Sequence, residues 1–210
     1  MKVELLEYTP NPEELIEKAA RTCYKSPSKP ESRDKFLTGV IKSGHESVIE
    51  HASATFRISE VSRALTHQLV RHRLANYSQQ SQRYCTFDKS YSDMDGSWFV
   101  IPPSIEEGPN EAYQTYLQVM HNIENAYQVL TMAGIKAEDA RFILPNAAKT
   151  EIVCTMNFRE WRHFLKLRLD PHAQWEIRDL SKEILIRLYS IAPVIFKDLY
   201  EQYIQVNNED

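Results

Sequence analysis

The sequence predicts an α+β fold in which helices pack against a small, mostly antiparallel sheet, forming one helix-rich domain over residues 1–210. Apolar residues recur at helical spacing in several long segments, whereas alternation with a period of two is confined to a few short ones. Helical and strand-like segments do not follow one another as regular βαβ units, which a parallel sheet would require. The composition, with 42% hydrophobic and 26% charged residues, is typical of a globular domain with a core.

The N-terminal part is predicted to contain two helices separated by a loop. Asn11, Pro12 and the two acids that follow are typical of a helix start, and the pattern continues to about Cys23. Two prolines indicate a loop at residues 25–32. The second helix is predicted to end at Gly44, because glycine readily takes the left-handed conformation that closes helices.

A strand and a third helix are predicted next. Residues 48–58 alternate in hydrophobicity, with Phe56 and Ile58 on the more apolar face. Ser59 is predicted to cap the helix that follows. The apolar residues of that helix recur at helical spacing, and the helix leads into Arg71.

The middle of the chain combines a loop with the longest helical pattern. Residues 84–108 are rich in turn-forming residues and are expected to form a mobile loop around a short strand at 98–101. Residues 110–133 have apolar and aromatic side chains at helical spacing, and Gly134 is predicted to end this helix. A short helix is predicted around residues 138–144.

The C-terminal part is predicted to be one strand and two helices. Residues 151–155 are β-like, and Asn157 with Glu160 three positions later resembles a capping box. Asp170, which a proline follows, is predicted to cap a last helix that reaches about Tyr203.

Arginine is concentrated in one part of an otherwise acidic chain. The formal net charge of −4 gives no general reason to expect a nucleic-acid or membrane partner. Residues 57–84 nevertheless contain five arginines, no lysine and one acid. Arginine without lysine favours fixed, bidentate recognition of phosphate, although an arginine-rich surface helix would have the same composition.

The common nucleotide-binding loops are missing from the sequence. Five glycines form neither a G-x-G-x-x-G turn nor a Walker loop, so side chains, chiefly arginine, would have to hold the phosphates of a dinucleotide. Three widely spaced cysteines form neither a disulfide framework nor a C-x-x-C pair. The N-terminus carries acids where a signal peptide would be apolar, so a cytoplasmic protein is expected.

Two polar segments could form a ligand site. Residues 71–84, RHRLANYSQQSQRY, offer guanidinium groups, amides and hydroxyls that suit an anion and the edge of a pyrimidine or flavin ring. In the second segment, Arg159 and His163 are spaced i, i+4, and Arg168 lies near a helix end. The structural alternatives are a solvated polar loop and an amphipathic helix that packs through its aromatic residues.

Together the two segments resemble the flavin-dependent thymidylate synthase family. Arg71-His72-Arg73, then seven residues, Ser81, one residue and Arg83 match the family's R-H-R-x7-S-x-R signature. The segments LRLDPHAQWEI and GHES followed by EH are also similar to family segments, and the resemblance covers at least residues 44–180 in the right order. Some members have Ser, Asn and Glu where this chain has Asn76, Ser78 and Gln79, so this chain has no carboxylate at position 79.

The resemblance implies two sets of binding residues. The set expected at the FAD site is Ser47, Arg71, His72, Arg73, Gln79, Asn157, Arg159 and His163. The set expected to hold deoxyuridine monophosphate (dUMP), partly through backbone groups, is Gln68, Arg71, Gln79, Gln80, Ser81, Gln82, Arg83, Arg141 and Arg168. The resemblance further implies that Arg168 is the catalytic residue, whose cation favours negative charge on the uracil ring.

The resemblance also implies a reaction and an assembly. NADPH or NADH would reduce FAD, and 5,10-methylenetetrahydrofolate would donate the one-carbon unit that converts dUMP to dTMP. Family members are homotetramers with active sites shared between subunits, which is consistent with the missing phosphate loop. No metal, nucleic acid or membrane is expected to take part.

Two other functions compete with this interpretation. A zinc hydrolase could use the seven histidines, but His45-Glu46 lacks the second histidine of H-E-x-x-H, since Ile49 stands there. His67 and His72 are five positions apart, which does not place them on one helical face. A nucleic-acid-binding module could use the arginine-rich segment, but the acidic total and the absence of lysine there argue against it.

Overall fold

The sheet at the centre of the fold has four antiparallel strands. The computed structural model describes residues 1–23, 25–85 and 97–205. The strands lie in the order β1-β2-β4-β3. They span Lys2–Tyr8 (β1), Ser53–Ser62 (β2), Ala75–Gln79 (β3) and Lys149–Asn157 (β4). This sheet and the helices packed on it confirm the predicted α+β fold.

The helices connect and cover the strands. They span Pro12–Thr22 (α1), Arg33–Lys42 (α2), Arg63–Leu69 (α3), Pro103–Glu106 (α4), Asn110–Met132 (α5), Ala137–Ala140 (α6), Phe158–Arg168 (α7), Trp175–Ile191 (α8) and Pro193–Tyr200 (α9). Short 3₁₀ segments cover Pro30–Ser32, Glu46–His51 and Arg141–Ile143, and a π-helical turn covers Glu201–Gln205. None of the helices in the described ranges is both long enough and apolar enough to cross a membrane.

The main core lies between the sheet and the C-terminal helices. Alternate residues of β2, including Ala54 and Phe56, are buried, as the period-two pattern predicts. Phe56 meets Trp161 of α7 edge-on, with 5.1 Å between ring centroids. The Trp161 indole also donates to the carbonyl of Ala54 at 3.1 Å, so its polar atom is satisfied inside the core.

A second apolar cluster forms around α5. Met120 and Tyr127 of α5 are buried against Trp98, Phe99 and Ala148. A single β-bridge between Phe99 and Ala148 joins this cluster to the start of β4. The cluster therefore attaches the long helix to the same sheet that carries the main core.

Several helix ends follow the predicted chemistry. Gly44 (φ +74°) and Gly134 (φ +83°) adopt left-handed conformations just past the ends of α2 and α5. The Asn157 side chain accepts a hydrogen bond from the Glu160 amide at 2.9 Å and caps α7. The predicted helices α1, α2, α5 and α7 are confirmed.

The limits of the predicted strand at 48–58 are wrong at both ends. Its first residues form a 3₁₀ segment, whereas β2 begins at Ser53 and continues to Ser62. A bulge between Ile58 and Val61 lets β2 keep pairing with β4 beyond the point where the alternation breaks. Ser62 rather than Ser59 therefore caps α3, and its hydroxyl accepts from the Leu65 amide at 3.0 Å.

Strand β3 was not predicted, because its residues are mostly polar. It pairs with β4 at the edge of the sheet, where hydrogen bonds compensate for weak apolar patterning. Residues 98–101 form only the single bridge at Phe99 and no strand. The mobile loop predicted at 84–108 cannot be compared over residues 86–96, which lie outside the described residues.

The predicted last helix is two helices. Gln174 rather than Asp170 caps α8, and its side-chain oxygen accepts from the amides of Glu176 and Ile177. Asp170 instead accepts from the amide of His172 at 2.8 Å, in the turn before α8. The break before α9 falls at Pro193, because proline has no amide proton to continue the helical ladder.

Candidate functional site

The arginine-rich signature begins in a turn at the end of α3. The amides of Arg71 and His72 donate to the carbonyls of Gln68 and Leu69 at 3.3 and 3.1 Å, which closes the turn. The His72 side chain is buried, whereas Arg71 and Arg73 are exposed. Neither of these two guanidinium groups has a hydrogen-bond or ion-pair partner within the described part of the chain. Two free cations therefore extend from a backbone turn that its own hydrogen bonds hold.

Arg168, at the end of α7, lies against this turn. Its Nε donates to His72 Nε2 at 3.1 Å, and its Nη2 donates to the carbonyl of Gln68 at 3.2 Å. His72 and Arg168 are 96 positions apart in the chain. Partial burial lowers the pKa of Arg168, but a guanidinium remains protonated in proteins. The site thus holds a fixed cation at the meeting point of the two polar segments.

The imidazole of His72 is neutral near neutral pH. Burial, followed by the nearby charge of Arg168 and of His163, lowers the pKa of His72 to about 4. Since Nε2 accepts from Arg168, the ring proton of the neutral form lies on Nδ1. Nδ1 faces a carboxylate oxygen of Glu160 at 3.6 Å.

We refer to Gln68, His72, Glu160, His163 and Arg168 as the α3–α7 cluster.

Three members of this cluster have the composition of a metal site. Ligand atoms of His72, Glu160 and His163 lie within 4.8 Å of one another. The lone pair on Nε2 of His72 is, however, already the acceptor for Arg168, and Nδ1 carries the proton. The adjacent guanidinium would also repel a metal cation. The chemistry of these donors therefore suits an anion or a polar ring better than a metal ion.

Gln79 is the last residue of β3, and residues 80–83 follow it in the chain. The side-chain amide of Gln79 donates to the Thr66 hydroxyl at 2.9 Å, and its nitrogen lies 3.4 Å from the Thr150 hydroxyl. The backbone amide of Gln80 donates to the backbone carbonyl of Glu151 at 2.9 Å. The Ser81 hydroxyl accepts from the backbone amide of Arg83 at 3.2 Å. Gln82 is half-buried.

Arg83 and Arg141 meet at one acidic residue. The Glu138 carboxylate accepts from Nε of Arg83 at 3.2 Å, and its backbone carbonyl accepts from Nε of Arg141 at 3.1 Å. Arg83 is largely exposed, and its guanidinium also lies over the ring of Tyr84 at 5.5 Å. The structure therefore places Arg83 and Arg141, two of the four arginines that the resemblance assigns to dUMP, against one residue, although they lie far apart in the chain.

The remaining predicted FAD residues lie on α7 and on the 3₁₀ segment 46–51. Asn157 uses its side-chain oxygen to cap α7, and Arg159 pairs with Glu50 at 2.5 Å. Ser47 lines a cavity of about 680 Å³ between α1, α2 and this segment. The cavity wall carries three cationic side chains, from Arg21, Lys29 and Lys35. One copy of the chain thus places Ser47 in a cavity rather than in the α3–α7 cluster.

Some residues that build the site have no recognisable sequence signal. Gln174 accepts from the Gln68 amide group at 3.5 Å while it caps α8. Arg63 donates to the Gln80 carbonyl at 2.8 Å. Tyr77 lies inside the R-H-R-x7-S-x-R signature, and its hydroxyl lies within hydrogen-bond distance of two carbonyls in the α3 turn. Only their tertiary contacts reveal these roles.

Comparison with known proteins gives consistent matches over nearly the whole chain. The family model described as thymidylate synthase complementing protein matches residues 4–194. A flavin-dependent thymidylate synthase from Geobacter sulfurreducens is 48% identical over 206 residues, covering 94% of this chain and 86% of that protein. A protein with the same name from Pyrococcus furiosus is 44% identical over 206 residues, covering 93% of this chain and 83% of that protein.

A solved structure has the same fold. The crystal structure of thymidylate synthase X (ThyX) from Helicobacter pylori with FAD and dUMP matches with a TM-score of 0.77 and 24% identity. The match covers 94% of this chain and 98% of that one.

Proposed function

Because the chain belongs to the flavin-dependent thymidylate synthase family, we propose that the α3–α7 cluster is where it activates dUMP. The enzyme converts dUMP to dTMP, with 5,10-methylenetetrahydrofolate as the one-carbon donor and NADPH or NADH as the reductant through FAD. The observation that carries the proposal is the contact of Arg168 with His72 and Gln68, which joins the two polar segments at one cation.

The residues present fit a flavin dinucleotide. The exposed guanidinium groups of Arg71 and Arg73 have no partner among the described residues, so they are available to hold a pyrophosphate. The cavity beside Ser47, which Lys29 and Lys35 line, has room for part of a large ligand. The rest of the proposed FAD set is His72, Gln79, Asn157, Arg159 and His163. Bound FAD supplies the reducing equivalents that turn the transferred one-carbon unit into a methyl group.

Residues on α3, after β3 and at the end of α7 would bind dUMP. Arg83 contacts the Glu138 carboxylate and Arg141 contacts the backbone carbonyl of the same residue, so a substrate phosphate bound there would accept from both guanidinium groups. The backbone and side chains of Gln79, Gln80, Ser81 and Gln82, together with Gln68 and Arg71, would contact the nucleoside.

Arg168 would act on the uracil ring. The neutral His72 holds its guanidinium without adding a competing charge, so the cation is directed by fixed acceptors. Negative charge that develops on the ring as it becomes nucleophilic is stabilised by this preorganised cation. The protein thus contributes orientation and electrostatics.

The test is the variant Arg168→Ala, measured with NADPH, 5,10-methylenetetrahydrofolate and dUMP. We expect a folded protein that retains bound flavin and is reduced by NADPH, while dTMP formation falls on the order of 100-fold. Arg187→Ala is the matched control, because this arginine pairs with Glu183 one turn away on α8 and belongs to neither proposed binding set. Near-normal dTMP formation by Arg168→Ala, or loss of its fold, would exclude the proposed role.

We further propose that the chain works as a cytoplasmic homotetramer whose subunits share active sites. Large apolar side chains stand directly beside proposed site arginines: Leu74 is 74% exposed, Tyr84 80% and Phe142 83%. Exposed aromatic and aliphatic groups of this size are typical of interfaces between subunits. Their position supports an assembly in which a second subunit closes the site. Three free cysteines are compatible with a reducing compartment.

A further inference from the structure

Tyr77 holds the turn that ends α3. It lies on β3, opposite Cys154 of β4, and its side chain is half-buried. The Tyr77 hydroxyl lies 2.8 Å from the carbonyl oxygen of Leu69 and 2.9 Å from that of His72, so its proton is donated to this pair. The Leu69 carbonyl, which also accepts from the His72 amide, and the His72 carbonyl therefore share one side-chain donor in this turn.

The same turn is what holds Arg168. The Gln68 carbonyl and the His72 ring are the acceptors of the Arg168 guanidinium. His72 therefore contacts Tyr77 through its backbone and Arg168 through its side chain. A shift of the turn would move both acceptors, and through them the cation.

We propose that Tyr77 is a positioning residue for thymidylate synthesis, which fixes the α3 turn so that Gln68 and His72 aim the Arg168 guanidinium. This inference rests on the proposed role of Arg168. Burial raises the pKa of the Tyr77 phenol, so the hydroxyl keeps its proton and can donate it.

The first experiment compares two tyrosine variants of the holoenzyme. Tyr77→Phe removes only the hydroxyl. Tyr116→Phe is the matched control, because the half-buried Tyr116 also donates its hydroxyl proton to a backbone carbonyl, that of Val100, at 2.7 Å. At equal flavin occupancy we expect Tyr77→Phe to lower kcat for dTMP formation about tenfold, with the rate of flavin reduction by NADPH unchanged. Tyr116→Phe should change neither rate. Equal kinetics in the two variants would overturn the proposal.

The second experiment asks whether Tyr77 acts through Arg168. In the Arg168→Lys background, the loss caused by Tyr77→Phe should shrink from about tenfold to less than twofold, because the fork geometry that the turn directs is already gone. A full additional tenfold loss would show that the two residues act independently. Wild-type activity of Arg168→Lys would count against the proposed function itself.

Amide hydrogen exchange tests, independently of catalysis, whether Tyr77 and Arg168 stabilise the turn that ends α3. Exchange in residues 69–73 should become several-fold faster in Tyr77→Phe and also in Arg168→Ala, but not in Tyr116→Phe. The Arg168→Ala measurement tests the coupling between the turn and the guanidinium even if Tyr77→Phe does not accumulate as folded protein. Unchanged exchange at 69–73 in Arg168→Ala would overturn the coupling between the turn and the guanidinium.

Discussion

His72 is a buried histidine whose protonation state determines its partners. In the neutral ring, Nε2 accepts from Arg168 and Nδ1–H faces Glu160. Protonation would replace the acceptor by a second donor and place a positive charge beside the guanidinium. Burial and that guanidinium lower the pKa of His72 to about 4, so the contact persists well below neutral pH.

Arg83 and Arg141 should discriminate between dUMP and deoxyuridine. Replacing either by alanine removes a charge-assisted contact, and we expect dUMP binding to weaken by about 1.5–3 kcal/mol, with deoxyuridine binding nearly unchanged. Titration of both ligands by calorimetry measures the difference.

The control for this pair is Arg57→Ala. Arg57 is also an exposed arginine with a carboxylate partner, Glu4 at 3.1 Å, but it lies on β2. It should leave the affinity for both ligands unchanged. If Arg83→Ala weakened the binding of both ligands equally, the phosphate would have to be bound elsewhere.

At the scale of elements, Glu17 joins α1 to the segment that leads into α2. Its buried carboxylate accepts from Arg21 at 2.7 Å, Ser28 at 2.7 Å, the Lys29 amide at 3.1 Å and Arg33 at 3.2 Å. Burial alone would raise the pKa of Glu17, but these donors outweigh it and lower the pKa to about 2. Two of the donors, Arg21 and Lys29, belong to residues that line the cavity beside Ser47.

The network predicts a specific loss of stability in acid. A carboxyl whose folded pKa is depressed stabilises the fold above its ordinary value of 4.5, and this stability disappears as the pH falls from 4.5 towards 2. Glu17→Gln should lower the free energy of unfolding at pH 7 by about 2 kcal/mol and flatten the pH dependence below 4.5. Urea denaturation at pH values from 7 to about 2.5 measures both effects.

Glu14→Gln is the matched control on the same helix. Glu14, whose side chain is 38% exposed, forms an ion pair with Lys18 one turn away, so its removal should change the unfolding free energy little. If Glu14→Gln were as costly as Glu17→Gln, the buried network would not be what stabilises this part of the fold.

At the scale of the whole molecule, exposed apolar side chains stand beside proposed site arginines. Phe142 follows Arg141, and Leu74 follows Arg73, so these exposed apolar side chains are chain neighbours of arginines that we propose to bind ligands. We expect Phe142→Glu to weaken the proposed tetramer, because a buried carboxylate at an interface would have no partner. The flavin content should fall together with the assembly state.

Light scattering after size-exclusion chromatography measures this change. Ile186→Glu is the control, since Ile186 is 41% exposed and stands next to the Arg187–Glu183 ion pair on α8. A Phe142→Glu protein that remained tetrameric with full flavin content would remove Phe142 from the interface.

Several helix starts, ends and caps could be predicted from the sequence alone. Pro12 at a helix start, Gly44 and Gly134 past helix ends and the Asn157 cap were all predicted, because each depends on a few neighbouring residues. The spacing of Arg71 and Ser81 indicated the family for a similar reason, since the signature lies within one continuous segment.

Only the tertiary structure decided features that depend on distant residues. Strand β3 exists because β4 offers it an edge, although its own polar sequence has little strand character. The bulge between Ile58 and Val61 extends β2, so Ser62 rather than Ser59 caps α3, because register is set by pairing with β4. Arg168 contacts the His72 ring, and the Tyr77 hydroxyl donates to the His72 carbonyl. Both contacts join segments that the sheet and helices bring together. The sequence determines which chemical groups the chain carries and how they are spaced within a segment. Packing across the core determines which groups from distant segments come into contact.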